Sequence, residues 1–347
     1  MNKFQVLTIS EVQQLTKDAV AISFDIDNND LFNFEAGQYI TIKHEINGED
    51  IRRAYSICST QKEGLTIGVK RVEQGRMSTF LTTDVKKGDK IEVMPPSGNF
   101  IIKGDCNHIV GICAGSGITP MLSMIKTELA KNNDSKFTLI YGNRSKESTM
   151  FLKELVELEE NNSERLKIHW AYSRESNIGA INGRVDKNTL QQLFNTFLSL
   201  KSANSYFICG PGELIDNTNE LLLLNNINQS KINFERFTAV ESEATNSSED
   251  SEEIISNVMV SVDGDDFEFE LSNKGQTILD AAMEHGADVP FSCKGAVCCT
   301  CKAKVMEGKV TMDANYSLSD EEVAEGYVLG CQARPASENV VVDFDEM

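Results

Sequence analysis

Over residues 1–104 apolar and polar positions alternate in short runs, the pattern of strands that bury one face. The alternation predicts strands at Phe4–Ile9, Ala19–Phe24, Gln38–Lys43, Arg52–Ser59, Leu65–Val72 and Lys90–Met94. Gly, Asn and Asp punctuate the runs, so the segment reads as an antiparallel β-barrel with one short helix at Ser78–Thr83. From Asn107 the period changes. Strands at His108–Cys113, Phe137–Tyr141, Leu166–Tyr172, Ser205–Cys209 and Ile232–Phe237 alternate with helices at Pro120–Lys131, Thr149–Glu160, Thr189–Lys201 and Glu213–Asn226. This predicts an α/β domain over 105–237, with a parallel sheet covered on both faces.

Residues 238–256 interrupt both patterns. The run Glu241-Ser-Glu-Ala-Thr-Asn-Ser-Ser-Glu-Asp-Ser-Glu-Glu253 has no aromatic residue and little to bury, so it reads as a flexible acidic linker. Beyond it, strands at Val258–Val262, Phe267–Leu271, Lys302–Met306 and Val340–Phe344, with helices at Thr277–His285 and Ser319–Glu325, predict a small α+β domain of β-grasp type over 257–347.

Composition sharpens this three-domain picture. The 347 residues carry a net charge of −20, and residues 238–347 hold 24 Asp/Glu against 6 Lys/Arg, so −18 of it lies there. Such acidity disfavours nucleic acid and suits either solubility or a basic protein partner. No run is long enough to cross a membrane, and the N-terminus alternates like a strand with no signal-peptide core. With nine cysteines, an odd number, and nothing to export the chain, the expected setting is reducing and cytoplasmic.

Four of those cysteines fall within Cys293–Cys301. Cys293, Cys298 and Cys301 fit the C-x4-C-x2-C spacing of plant-type [2Fe–2S] proteins, with Cys331 as the distant fourth thiolate. Structural zinc would want a second paired knuckle, which the chain lacks. Gly295 and Ala296 are small enough to let backbone N–H groups approach the sulfurs, and Cys299, between two ligands, reads as a small core residue.

Three further stretches carry binding chemistry. In Arg53-Ala-Tyr-Ser56 a guanidinium can hold a pyrophosphate, a phenol ring can cover a flat heterocycle and a hydroxyl can reach a ring nitrogen. Taken alone the same residues are an ordinary half-exposed strand. Gly75-Arg-Met-Ser-Thr79 places N–H groups and hydroxyls at a helix start, where a phosphate binds. Gly111-Ile-Cys-Ala-Gly-Ser-Gly-Ile-Thr-Pro120 leaves a strand and enters a helix, as a dinucleotide loop does, with Pro120 in place of a third glycine. Tyr141-Gly-Asn-Arg144, Tyr172-Ser-Arg-Glu175 and Cys209-Gly-Pro211 lie at the C-terminal ends of expected strands, the ligand edge of such a sheet. Ser173 and Arg174 can take a 2′-phosphate or be a solvated strand end. His44, His108, His169 and His285 lie in no motif.

In this order the motifs resemble the ferredoxin–NADP reductase superfamily, with a plant-type ferredoxin fused at the C-terminus. The arrangement is similar to the reductase components of multicomponent oxygenases, above all those serving phenylacetyl-CoA epoxidases, on Tyr141 to Phe151 and Glu235-Arg-Phe237. The resemblance implies an NAD(P)H-dependent oxidoreductase holding FAD and [2Fe–2S] and passing electrons to a di-iron oxygenase or epoxidase component. A reductase for another hydroxylase or a free ferredoxin, or a redox sensor, stays open. It implies FAD contacts at Arg53, Ala54, Tyr55, Ser56, Val69, Lys70, Gly75, Met77, Ser78 and Thr79. Nicotinamide nucleotide contacts are implied at Gly115, Gly117, Thr119, Pro120, Asn143, Arg144, Ser173, Arg174, Cys209, Gly210 and Pro211. Ser56, Cys209 and Glu235 would serve catalysis, with Glu235 a candidate proton relay. Arg174 suits NADPH, and NADH stays open as the alternative.

Overall fold

A computed structural model describes residues 4–26, 29–131, 134–237 and 253–346. These form two compact units, one of residues 4–96 and 100–237, the other of 97–99 with everything described beyond 252.

The first unit begins with six antiparallel strands: β1 (Gln5–Thr16), β2 (Ala19–Asp25), β3 (Tyr39–Ile46), β4 (Glu49–Ser56), β5 (Thr66–Lys70) and β6 (Lys90–Ser97), with helix α1 (Arg76–Thr83) before β6. Their order is β4-β3-β6-β1-β2-β5, and a bridge from Ile57 to Ile67 joins the two edges into a barrel. Ile22, Ile40, Ile42, Ile57 and Ile67 are fully buried inside it. Each such side chain is worth about 1.5–3 kcal/mol by transfer, so closure stabilises the sheet as well as removing its edges. Strand β1 runs past the expected Ile9 because register shifts at Ile9/Glu11 and Gln14/Thr16 reset its alternation.

The same unit continues with β7 (His108–Ala114), α2 (Ile118–Ala130), β8 (Lys136–Asn143), α3 (Leu152–Asn161), β9 (Leu166–Tyr172), β10 (Ile181–Asn182), α4 (Lys187–Thr196), β11 (Ser205–Gly210), α5 (Gly212–Leu224) and β12 (Ile232–Arg236). The strands are all parallel, in the order β10-β9-β8-β7-β11-β12. Alternate residues of β7 feed two cores. Ile109 and Cys113 pack with Ile118, Met121 and Leu122 of α2, whereas Val110 and Ile112 pack with Leu190 of α4 and Leu214 of α5. Two expected helices are shorter here. Phe151, left-handed at φ 57°, holds Thr149 to Phe151 out of α3, and α4 ends at Thr196 before a 3-10 turn at Leu198–Ser202.

In the second unit β13 (Ile255–Val262), β14 (Asp265–Ser272), α6 (Ile278–Glu284), β15 (Lys302–Glu307), β16 (Val310–Met312), α7 (Asp320–Ala324), β17 (Tyr327–Leu329), β18 (Ala333–Pro335) and β19 (Asn339–Asp343) follow. The sheet order is β14-β13-β19-β15-β17, with β13 and β19 parallel and β16 paired to β18. Helix α6 lays Ile278, Leu279 and Ala282 onto the core formed with Val258, Val260 and Val342. Thr277 caps its start by accepting from the Asp280 N–H. Ile255 and Ser256, given to the linker by sequence, belong to β13, since backbone pairing with Ser272 and Leu271 extends the hairpin. The rest of that acidic segment, up to residue 252, lies outside the described residues.

Candidate functional site

The site is built where β7 and β11 leave the parallel sheet. Later strands add on one side of β7 and on the other side of β11, so their C-terminal ends flank a switch point, the usual ligand crevice of such sheets. Gly115 takes φ 57° there, and a Cβ on Gly117 would sit 2.1 Å from the Cys209 carbonyl oxygen. The turn therefore requires glycine at both positions. Thr119 and Pro120 lie buried in the first turn of α2, and the Thr119 hydroxyl donates to the Ser116 carbonyl at 2.9 Å.

Cys113, Cys209 and Glu235 are in register across three neighbouring strands and so share one face of the sheet. The Ser56 hydroxyl, from the end of β4, donates to Glu235 Oε2 at 3.3 Å. The structure thus brings together Ser56, Cys209 and Glu235, the three residues the resemblance assigns to catalysis. Desolvation of the Glu235 carboxyl raises its pKa to about 8, against a smaller opposing effect of the Ser56 hydrogen bond. Burial also pushes the Cys209 thiol well up, with Glu235 and Cys113 adding to the shift.

On the barrel, Tyr55 pairs with Ile40 and Arg53 with Ile42, so ring and guanidinium lie on one face of the β3–β4 hairpin while Ala54 and Ser56 lie on the other. Arg53 is exposed and donates to the Arg52 carbonyl at 2.7 Å. Desolvation pushes the Tyr55 phenol up, the Arg53 charge pulling the other way. A cavity of about 500 Å³ opens between the tip of this hairpin and the start of α1, lined by His44, Asn47, Gly75, Arg76, Thr79 and Phe80 among others. Ser78 is buried. It uses its hydroxyl on the turn before α1, accepting from the Val72 N–H at 3.1 Å and donating to the Gly75 carbonyl at 3.3 Å. A Cβ on Gly75 would meet that hydroxyl at 2.5 Å. Val69 and Met77 point into the barrel core, which leaves them their backbone to offer, and Lys70 lies 3.9 Å from Asp18.

Arg144, Ser173 and Arg174 are exposed side by side past the ends of β8 and β9, where the Ser173 N–H donates to the Asn143 carbonyl and the Arg174 N–H to the Arg144 carbonyl. The Asn143 side chain is buried at the same edge, beside the Tyr141 hydroxyl. The glycine turn at the start of α2 is what fits a bound nucleotide here. Gly210 and Pro211 lead from β11 into α5 at the same edge.

The cysteines converge within the second unit. Cys298 Sγ is 3.2 Å from Cys293 Sγ, and Cys331, in the turn after β17, touches both Cys293 and Cys301. Lys294 and Ala296 are left-handed, at φ 50° and 62°, which turns successive N–H groups toward sulfur. The Gly295 N–H donates to Cys293 at 3.3 Å, joined by that of Val297, and the Ala296 N–H serves Cys331. The thiols of Cys298 and Cys331 hold Cys293 well below the usual thiol range, and those two are pushed up in turn. Cys299 packs in the core, its thiol on the Ser317 carbonyl at 3.3 Å. Among the described residues, no group of three or more His, Cys, Asp or Glu is drawn around a single-ion site. The fit to a cluster rests on four soft donors and the N–H groups aimed at them. Sequence reading missed one further donor, Gln332, whose amide lies 3.6 Å from Cys331 Sγ.

Three family models match in chain order: an oxidoreductase FAD-binding domain at 6–102, an oxidoreductase NAD-binding domain at 112–220 and a 2Fe-2S iron–sulfur cluster binding domain at 260–336. One of the subunits of 1,2-phenylacetyl-CoA epoxidase from Escherichia coli K12 is 39% identical, over 99% of each chain. The ferredoxin reductase component of 3-ketosteroid-9-alpha-monooxygenase from Rhodococcus rhodochrous is 30% identical, over 98% of this chain and 96% of its own. Among solved structures, phthalate dioxygenase reductase, described as a modular structure for electron transfer from pyridine nucleotides to [2Fe–2S], superposes with a TM-score of 0.62 at 27% identity, covering 98% of both chains. No helix among the described residues is long and apolar enough to cross a membrane.

Proposed function

This chain belongs to the family of oxygenase reductases that join FAD-binding, NAD-binding and 2Fe-2S domains, and from that premise we propose that it feeds a di-iron phenylacetyl-CoA epoxidase. The observation that carries the choice of acceptor is the 39% identity, over the full length of both chains, to a component of such an enzyme. Bound FAD supplies the conversion of a two-electron hydride into single electrons, and the [2Fe–2S] cluster carries them one at a time.

The chain's own residues have separable parts in this. Arg53 of β4 and Thr79 of α1, both exposed, would bind the flavin's pyrophosphate, with Tyr55 against its ring. Gly115, Gly117 and Thr119 would seat the nicotinamide nucleotide at the sheet's switch point, with Asn143 at the same edge. Arg144, Ser173 and Arg174 together offer the charge and hydrogen bonds that a 2′-phosphate takes, which favours NADPH. Glu235 holds a proton at neutral pH beside the Ser56 hydroxyl, so the pair can supply or hold a proton where the two cofactor sites meet. Cys293, Cys298, Cys301 and Cys331 would hold the cluster.

The test is reconstitution. Purified protein with FAD and cluster, NADPH and the oxygenase component of a phenylacetyl-CoA epoxidase should turn over phenylacetyl-CoA. Rapid dye reduction with no product would leave a reductase of some other acceptor. Failure to reduce even a one-electron dye would favour a sensor.

A further inference from the structure

One face of α2 lies along the barrel. Thr119, Ser123 and Lys126 are spaced i, i+4 and i+7, which puts them on one side of the helix. All three meet the barrel stretch that runs from Ser59 into β5. A Cβ on Gly68 would come 2.4 Å from Thr119 Cγ2, so the Thr119 methyl packs directly on the Gly68 backbone. One turn on, the fully buried Ser123 donates to the Ser59 carbonyl at 2.6 Å. A further turn on, Lys126 Nζ sits between two carboxylates, 2.8 Å from Glu63 Oε1 and 2.7 Å from Glu154 Oε1.

The two carboxylates differ in what they join. Glu154 is on α3, within the same parallel-sheet domain, whereas Glu63 lies between β4 and β5 of the barrel. Glu63 is itself fixed, accepting the Thr60 N–H on its other oxygen at 2.8 Å. Burial works against the Lys126 charge, but the two partners outweigh it and hold its pKa above the ordinary lysine value. The Lys126 side chain is only 15% exposed and Glu63 is 45% exposed, so the pair is sheltered on the lysine side and open to solvent on the other.

We propose that the Lys126–Glu63 ion pair is a positioning clamp, which holds α2 against the barrel two turns beyond its start and, through the helix, helps set the distance between nicotinamide and flavin. The segment it grips runs straight into Val69 and Lys70, and the helix it grips begins at Gly117 and Thr119, so both ends of the transfer path are tied to it. Hydride transfer needs the reacting atoms about 3–3.5 Å apart, and a shift of about 1 Å can cost roughly a hundredfold in rate. A clamp of this kind acts on the transfer rate and leaves the affinity for either cofactor alone. The inference rests on the cofactor placement proposed above.

The experiment is anaerobic stopped-flow reduction of the full-length holoprotein's flavin by saturating NADPH. Glu63→Gln can keep one oxygen for the Thr60 N–H, and it replaces the carboxylate oxygen facing Lys126 with an amide that neither carries charge nor accepts from it. It should slow flavin reduction about three- to tenfold, with flavin spectrum, NADPH Kd and thermal midpoint unchanged. Glu154→Gln, which leaves the crossing pair intact, should keep the parent rate, and Lys126→Arg should recover most of what Lys126→Met loses. Glu63→Gln reducing at the parent rate overturns the proposal. So does an equal slowing in both glutamate variants with lowered thermal midpoints, since the network would then be structural only. A parent protein whose flavin NADPH does not reduce would instead overturn the cofactor reading, and the clamp with it.

Discussion

Between pH 4.5 and about 8 the folded chain keeps a proton on Glu235 that an unfolded chain has released, because crowding around the carboxyl lifts its pKa to about 8. The contribution to stability is therefore whole below pH 4.5 and is lost as pH rises through about 8. Denaturant unfolding of the parent should show a fall in stability across that window which Glu235→Gln lacks. Equal slopes in the two proteins would place the carboxyl in open solvent. The same pairing shows where residue-level reading stops. The motifs Arg53-Ala-Tyr-Ser56 and Glu235-Arg-Phe237 each name one partner, but the hydrogen bond joins positions 179 apart. No local period encodes a contact made by closing a barrel against a parallel sheet. Lys126 was invisible for a related reason: on sequence it is one more charge on an amphipathic helix.

At the scale of elements, the long strands and helices were legible because each buries one face along its whole length, as β9 does over its expected bounds. Strands β16, β17 and β18 span three residues each, too short for an alternation of period two to register. They matter nevertheless, since the turn from β17 to β18 carries Cys331 and Gln332. The Gln332 amide reaches both the Cys331 carbonyl, at 2.8 Å, and the Cys331 sulfur, at 3.6 Å. A donor to a ligand sulfur stabilises the more negative, reduced cluster and raises its potential. Replacing Gln332 by Leu should lower the cluster's midpoint by roughly 30 mV, about a threefold change in a one-electron equilibrium. Redox titration followed by electron paramagnetic resonance would read it, and an unchanged midpoint with full cluster occupancy would exclude a role for this amide.

For the whole molecule, the division of charge is the feature that folding does not explain. Residues 1–237 are close to neutral, whereas residues 238–347 carry −18 of the −20. In the second unit Asp263, Asp265, Asp266, Glu268 and Glu270 crowd a single hairpin, and Asp345 spends its carboxylate on the N–H groups of Asp263 and Gly264 at its tip. Like charges packed this closely repel, so the acidity costs some stability wherever counterions do not offset it. A protein acceptor with a basic face would be drawn to such a domain, and long-range attraction is screened within about 10 Å at 0.1 M salt. Electron delivery to the oxygenase component should therefore slow as salt rises from low to moderate ionic strength. Ferricyanide is an anion, so its reduction at the same domain should hold steady or quicken over that range. A protein acceptor whose rate ignores salt would show that the acidity serves solubility and that docking is governed by short-range contacts instead.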